Sequence, residues 1–325
     1  MTNLGIPTVP RARVRDVGGG VEFSNAGHHF QAAAGLDVAA AAAAATVPLS
    51  VILQVTKRCD FGCSFCSEID LKPDPELDAL DTMRANLQGV SRVFLSGGEP
   101  LIRKDFGDIV DMYYKDFILA VPTNATNAHL HAKRIAGKIA FANIGFEGPR
   151  STFQRVRGDY DKAMAGVRAL QGEGIPLALS CVVYRSTLAS LPCNVQIADV
   201  LGAGKVKLIM PLRKGNSLKL AQQEFIKDAA AEEAFSHLAR LRTEHAWTPA
   251  LRLTTWTPEN EGHMIVIEPD GLAQAWPVYD APDLWKELGN VLEEPISEIW
   301  KRYPYKVNHF SKYLGRSIRT VEQGV

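Results

Sequence analysis

The chain has 325 residues, 46% hydrophobic and 22% charged, which suits one large α/β domain or a domain with a cap and excludes disorder of the whole chain. Its 36 Lys and Arg cancel 36 Asp and Glu, so no global field draws it to nucleic acid or to a membrane, and neither is an expected partner. With no run of about 18 apolar residues and no apolar segment behind the N-terminal charges, neither a spanning helix nor a signal peptide is expected, and the expected location is cytoplasmic.

Residues 1–48 contain three glycines at 18–20, the pair His28 and His29, and alanines from Ala39 to Ala45. They show no clear apolar period and are read as an N-terminal extension of a hairpin and a helix. From Val51 short apolar runs alternate with amphipathic stretches. Runs at 51–55, 92–96, 117–121 and 138–146 are each followed by a helical pattern, at 77–88, 105–114, 128–137 and 160–174. Further apolar runs lie at 175–184 and 205–210. Strands this apolar have both faces covered, which predicts a parallel sheet under helices. Six units in one direction give an α/β fold of the barrel or partial-barrel kind, with its chemistry at the carboxyl ends of the strands. This barrel is assigned to 49–220. A helix is predicted over 219–243, and Pro269, Asp270 and Gly271 read as the turn of a hairpin within 264–276. Residues 221–325 are therefore assigned to an α+β cap over the barrel mouth.

The cysteines are odd in number, and three of the five, Cys59, Cys63 and Cys66, fall within eight residues directly after the first barrel strand. A disulfide framework would spread an even set, so these thiols read as metal ligands in a reducing compartment. Three thiolates on a short loop can hold three corners of an iron–sulfur cube and leave the fourth iron open for a ligand. A closed structural zinc site, as in a non-enzymatic protein, needs a fourth ligand from Cys181, Cys193 or a histidine. One strand later, Ser96, Gly97, Gly98, Glu99 and Pro100 combine two glycines that permit close backbone approach with a carboxylate able to accept from an ammonium.

Together the Cys-x3-Cys-x2-Cys loop and the Gly-Gly-Glu-Pro turn resemble the radical S-adenosylmethionine superfamily, over roughly residues 50–215. The resemblance implies a partial (β/α)6 TIM-like barrel and a [4Fe-4S] cluster on Cys59, Cys63 and Cys66. It further implies Phe65 near the adenine of S-adenosylmethionine, and Gly97, Gly98 and Glu99 at the methionyl amino group. Reductive cleavage then gives a 5′-deoxyadenosyl radical that takes hydrogen from the substrate, with an external one-electron donor such as a flavodoxin or ferredoxin. Finer likenesses point to the branch with a SPASM or twitch extension. Pro122, Thr123 and Asn124 are similar to its Thr-Asn-Gly element, with Ala125 in place of glycine. Ile144 to Pro149, followed by Arg157 and Gly158, resembles its Ser-Leu-Asp-Gly-Pro and Arg-Gly elements, with Gly145 for serine and Glu147 for aspartate. Asn124, Glu147 and Arg157 are thus candidate cofactor contacts.

The segments Ile267 to Gly271, Ala275 to Val278, Leu288 to Asn290 and Ile296 to Trp300 look like a twitch or SPASM hairpin and helix. In that branch a cysteine is expected near Val278, yet residues 194–325 contain none. The expectation is therefore a degenerate cap, one cluster per chain, and a redox-neutral outcome such as epimerisation, elimination or decarboxylation. Hydrogen return in an epimerisation needs a thiol donor, for which Cys181 is the candidate if it points into the barrel. Tyr184 and Arg185, and Arg213 and Lys214, are expected at the active-site end. Trp247, Trp256, Trp276 and Trp285 are candidates for lining a substrate pocket. The short N-terminal extension favours a small polar metabolite, such as a sugar, aminosugar, nucleoside or amino-acid derivative. Alternatives are a peptide-modifying enzyme or a dehydrogenase with an external acceptor.

Overall fold

A computed structural model describes residues 14–17, 20–25, 29–32, 37–256, 261–276, 286–313 and 319–321. Three short strands, β1 (Val14–Val17), β2 (Gly20–Asn25) and β3 (His29–Ala32), form an antiparallel sheet in that order and precede helix α1 (Val38–Ala44). Asp37 caps this helix by accepting from Ala39 N at 2.9 Å and Ala40 N at 3.2 Å.

The alternation expected from Val51 is present. Strand β4 (Ser50–Thr56) is followed by α2 (Leu77–Asn86), β5 (Arg92–Gly97) by α3 (Phe106–Tyr113), β6 (Ile118–Thr123) by α4 (Ala128–Ile135). Next come β7 (Phe141–Gly145), α5 (Arg150–Val156), α6 (Tyr160–Gly172), β8 (Leu177–Val182), α7 (Leu191–Val200) and β9 (Lys205–Ile209). Strands β4 to β9 pair in chain order and in parallel. The helices bury stripes at helical spacing, as with Phe106, Ile109, Val110 and Tyr113 of α3. In α6 the stripe includes Gly166, where a Cβ would lie 1.7 Å from the Ala125 carbonyl oxygen, so only glycine lets this helix close on the β6 turn.

The predicted helix over 219–243 begins later, as α8 (Asp228–Glu244). Ahead of it the chain makes tight turns, with Gly215 at φ +62° packed against the backbone of Cys66 and Ser67. The remaining elements are β10 (Ala250–Thr254), β11 (Ile265–Ile267), β12 (Leu272–Ala275), β13 (Lys286–Asn290), α9 (Ile296–Arg302), α10 (Lys306–Tyr313) and β14 (Arg319–Val321). The predicted hairpin is the antiparallel pair β11 and β12. The strands beyond residue 220 join the edges of the same sheet: β11 runs parallel to β4, and β10 parallel to β9. The result is an open eleven-stranded sheet in a partial barrel, with β13 at one edge and β14 at the other.

Far-apart segments are tied through α9 and α10. The Leu49 amide donates to His309 Nε2 at 3.0 Å, which leaves Nδ1 to donate to the His263 carbonyl at 2.7 Å. Trp300 Nε1 donates to the Ala45 carbonyl at 2.8 Å. No described helix is long and apolar enough to cross a membrane.

Candidate active site

Cys59, Cys63 and Cys66 lie on the loop leaving β4, at the carboxyl end of the sheet. Cys59 is exposed and the other two are half-buried. Burial pushes the thiol of Cys63 up to about 11, with Arg157 opposing the shift. The loop is held by its backbone. Ser64 N donates to the Val156 carbonyl at 3.2 Å, Asn216 N to Cys66 O at 2.8 Å, and Asn216 Nδ2 to Cys63 O at 3.3 Å. The described residues contain no group of Cys, His, Asp or Glu drawn tightly enough for a single ion.

The two glycines of the next turn serve this loop. A Cβ on Gly97 would lie 2.0 Å from Thr56 O, and one on Gly98 would lie 2.3 Å from Arg58 O. Their close approach is to the root of the cysteine loop, which Gly98 N and Glu99 N clamp through bonds of 2.9 and 2.8 Å to those carbonyls.

Glu99 is buried, 1% exposed. Its Oε1 accepts from Leu101 N at 3.0 Å and Thr123 Oγ1 at 2.6 Å, and its Oε2 from Asn124 N at 2.6 Å. A carboxylate offers about four acceptor positions, so one on Oε2 stays available to an ammonium. Burial pushes this carboxyl up to about 7 against those bonds. Thr123, missed as a side-chain partner at the sequence level, joins Glu99 because β6 ends beside β5.

The Asn124 side chain is engaged within the protein. Nδ2 donates to Asp60 at 2.7 Å, and Oδ1 accepts from Thr126 N at 2.9 Å. Asp60 also accepts from Thr126 Oγ1 at 2.6 Å and pins the cysteine loop to the turn after β6. Ala125, where the family pattern has glycine, sits in left-handed backbone at φ +67°.

Glu147 and Arg157 form a buried pair, with side chains 0% and 10% exposed. Arg157 Nη2 donates to Glu147 Oε1 at 2.9 Å, its Nε donates to Oε2, and Val182 N donates to Oε1 at 2.8 Å. The guanidinium occupies the space over Gly145, where a Cβ would lie 2.3 Å from Nη1. It also lies 4.8 Å from the centre of the Phe65 ring, which meets Tyr184 at 5.7 Å. The two departures at 145 and 147 are thus one arrangement: the small residue makes room for Arg157 and the longer acid reaches it.

Around the loop, Lys57, Lys214 and Gln54 surround Glu68, at 2.9, 3.2 and 3.0 Å. Burial raises the Glu68 carboxyl, but Lys214 and Lys57 outweigh it and hold it down to about 2. Lys57 is buried beside it. Gln54 Oε1 and the Tyr184 hydroxyl are buried without a hydrogen-bond partner, which fits an edge of the site that a polar ligand completes.

Cys181 does not point into the barrel. It alternates with Ser180 and Val182 and shares the helix-covered face with Leu177 and Leu179, its Sγ 3.6 Å from the Lys207 carbonyl. Strand parity decides this, and it corrects the expectation of a hydrogen donor facing the substrate. Trp256, Trp276 and His263 line a cavity on the opposite face, whereas Trp247 stacks on His245 away from it. Val278, Trp285 and His28 lie outside the described residues.

The Radical SAM superfamily description matches residues 53–189. The chain is 25% identical to the PqqA peptide cyclase of Granulibacter bethesdensis, over 82% of this chain and 76% of the relative. It is 27% identical to that of Gluconobacter oxydans, over 79% and 77%. Among solved structures it resembles Streptococcus suis SuiB bound to precursor peptide SuiA, at TM-score 0.68 and 13% identity over 80% of this chain and 66% of that one. It also resembles native anSMEcpe with bound AdoMet, at TM-score 0.65 and 16% identity over 83% and 84%. Residues 53–189 thus carry the radical SAM domain, and the relatives and the fold resemble the SPASM/twitch-like branch of that superfamily. This domain supports a radical SAM enzyme, and it implies a [4Fe-4S] cluster and S-adenosylmethionine.

Proposed function

We propose that this chain modifies a peptide by radical chemistry begun at a single [4Fe-4S] cluster. The observation that supports it is the pair of PqqA peptide cyclases matched over about four fifths of the chain, at 82% and 79%. The small polar metabolite expected from the short N-terminal extension is the less supported substrate, because extension length is a weak guide beside relatives aligned over most of the chain.

In this reading Cys59, Cys63 and Cys66 hold the cluster, and Glu99, on the turn of Gly97 and Gly98, receives the methionyl ammonium on its remaining Oε2 position. Phe65 faces the adenine. Glu147 and Arg157 act as positioning residues, the guanidinium backing the Phe65 ring, and Asn124 orients the cysteine loop through Asp60. When bound, cluster and cofactor supply one-electron reductive cleavage and a hydrogen-abstracting radical, with the electron coming from an external donor. With no cysteine in 194–325, no second cluster has thiolate ligands there, which favours a redox-neutral product.

The test is anaerobic reconstitution with iron and sulfide, followed by assay of deoxyadenosine release with reductant and fractions of host extract. About four irons per chain, release abolished by Cys63→Ala, and stimulation that protease treatment of the extract destroys are the expected results. Stimulation by a protease-resistant small-molecule fraction alone overturns the peptide reading.

A further inference from the structure

The sheet face turned away from the helices carries a cavity of about 240 Å³ that shares no lining residue with the proposed cofactor site. Four of its lining side chains are cations: Arg92, Lys207, Arg252 and Lys312. No aspartate or glutamate is among the described residues that line it. Register explains the gathering. Lys207 of β9 stands opposite Arg252 of β10, so both face the same way, while Arg92 enters from β5 and Lys312 from α10. The wall is aromatic, with Phe94 and Phe141 on one side and Trp256 and Trp276, 6.3 Å apart, on the other. Pro122 and Asn143 also line it, one residue before Thr123 and two before Gly145. The cavity therefore lies about 3–7 Å of strand ahead of the turns that carry the proposed cofactor residues.

Gathering cations where they are partly stripped of water is costly. Burial, then the charges of Arg92 and Arg252, brings Lys207 down to about 7; burial, then Arg252 and Lys207, brings Lys312 down to about 7. Lys207 Nζ lies 5.4 Å from the Phe141 ring centre. Lys312 Nζ lies 5.3 Å from Trp256 and donates to Thr254 Oγ1 at 3.5 Å. A ring face returns about 0.5–2 kcal/mol, whereas desolvating an ion costs several kcal/mol. An anion of matching size would offset that cost.

We propose that this cavity binds a carboxylate of the substrate, with the aromatic wall covering the carbon chain that bears it. The inference deepens the peptide reading and rests on it for the source of the carboxylate, an acidic side chain of the peptide. A free small carboxylic acid is the other source.

Cluster-reconstituted protein is titrated with glutarate and with its uncharged diamide at constant ionic strength, by calorimetry and by the fluorescence of Trp256 and Trp276. Glutarate is expected to bind and the diamide not. Lys207→Met and Lys312→Met are each expected to weaken glutarate about tenfold or more, and the free variants to melt no lower than the parent because a buried cation is gone. Lys207→Arg should retain binding, which a mere packing role would not predict. Equal binding of glutarate and diamide, which needs no variant, overturns the proposal, as does unchanged affinity in folded methionine variants. A short peptide with one glutamate, compared with its glutamine twin, distinguishes the source: preference for the glutamate peptide supports the side chain, and binding of free glutarate alone supports the small acid. Glutarate binding without peptide-stimulated deoxyadenosine release overturns the peptide reading and keeps the cavity assignment. Peptide-stimulated release undiminished in both methionine variants overturns the cavity assignment and keeps the peptide reading.

Discussion

Arg157 grips both oxygens of the buried Glu147 carboxylate in space that any side chain at position 145 would fill. Removing one partner leaves the other as an uncompensated buried charge. Arg157→Ala is expected to cost about 3–5 kcal/mol, read from urea unfolding, and Arg157→Lys to recover little because it cannot bond bidentately. Gly145→Ser, the residue usual in the family, is expected to destabilise by about 1–3 kcal/mol through overpacking. A neutral Gly145→Ser would remove this account of the departure.

The glycine pair makes a different prediction. Gly98→Ala puts a Cβ 2.3 Å from the Arg58 carbonyl at the root of the cysteine loop. The loop must shift, so iron retained per chain after reconstitution should fall well below that of the parent. Full iron retention with lost cofactor binding would instead mean that Gly98 serves the ligand.

Glu99 sets a pH dependence. Its carboxyl is pushed from the ordinary 4.5 up to about 7 in the folded protein, so the folded state holds a proton that the unfolded state releases. Its contribution is full below about pH 4.5 and is lost as pH rises through 7, about 3 kcal/mol in all. Glu99→Gln should flatten that part of the stability profile. A wild-type minus Glu99→Gln difference that stays constant from pH 4.5 to 8 would contradict it.

Ala125 holds left-handed backbone that costs an L-residue about 1–2 kcal/mol. Relief of that strain in Ala125→Gly outweighs the roughly 0.4–1 kcal/mol of added unfolded-state freedom, so urea unfolding should show a gain of up to about 1 kcal/mol. Ala125→Val, β-branched in the same conformation, should lose about 2 kcal/mol or more.

Cys181 lies among helix-facing core residues. Cys181→Ala is therefore expected to cost about 1–2 kcal/mol while deoxyadenosine release and product distribution stay unchanged. A changed product with intact release would return this thiol to the chemistry.

The six barrel units were legible in the sequence because strands covered on both faces are apolar throughout and helices covered on one side repeat every 3.6 residues. The site was legible where its chemistry is local. The spacing of Cys59, Cys63 and Cys66 and the turn at Gly97 to Glu99 need only neighbouring residues to be recognised. What depends on several strands meeting was not legible. The bonds from Thr123 to Glu99, from Asp60 to Asn124 and from Asn216 to Cys63 join residues 24, 64 and 153 positions apart.

Side-chain facing was likewise decided by the tertiary structure. A buried strand is apolar on both sides, so composition does not say that Cys181 faces the helices while Lys207, on the neighbouring strand, faces the cavity. Pairing register decides it, and register emerges only when the strands assemble. The sequence by itself carried the resemblance to the family, the spacing of Cys59, Cys63 and Cys66 and the βα order. Only the tertiary structure turned Glu147 toward Arg157 and gathered four cations from three strands and a helix around one cavity, because each of those contacts is made between elements rather than within one.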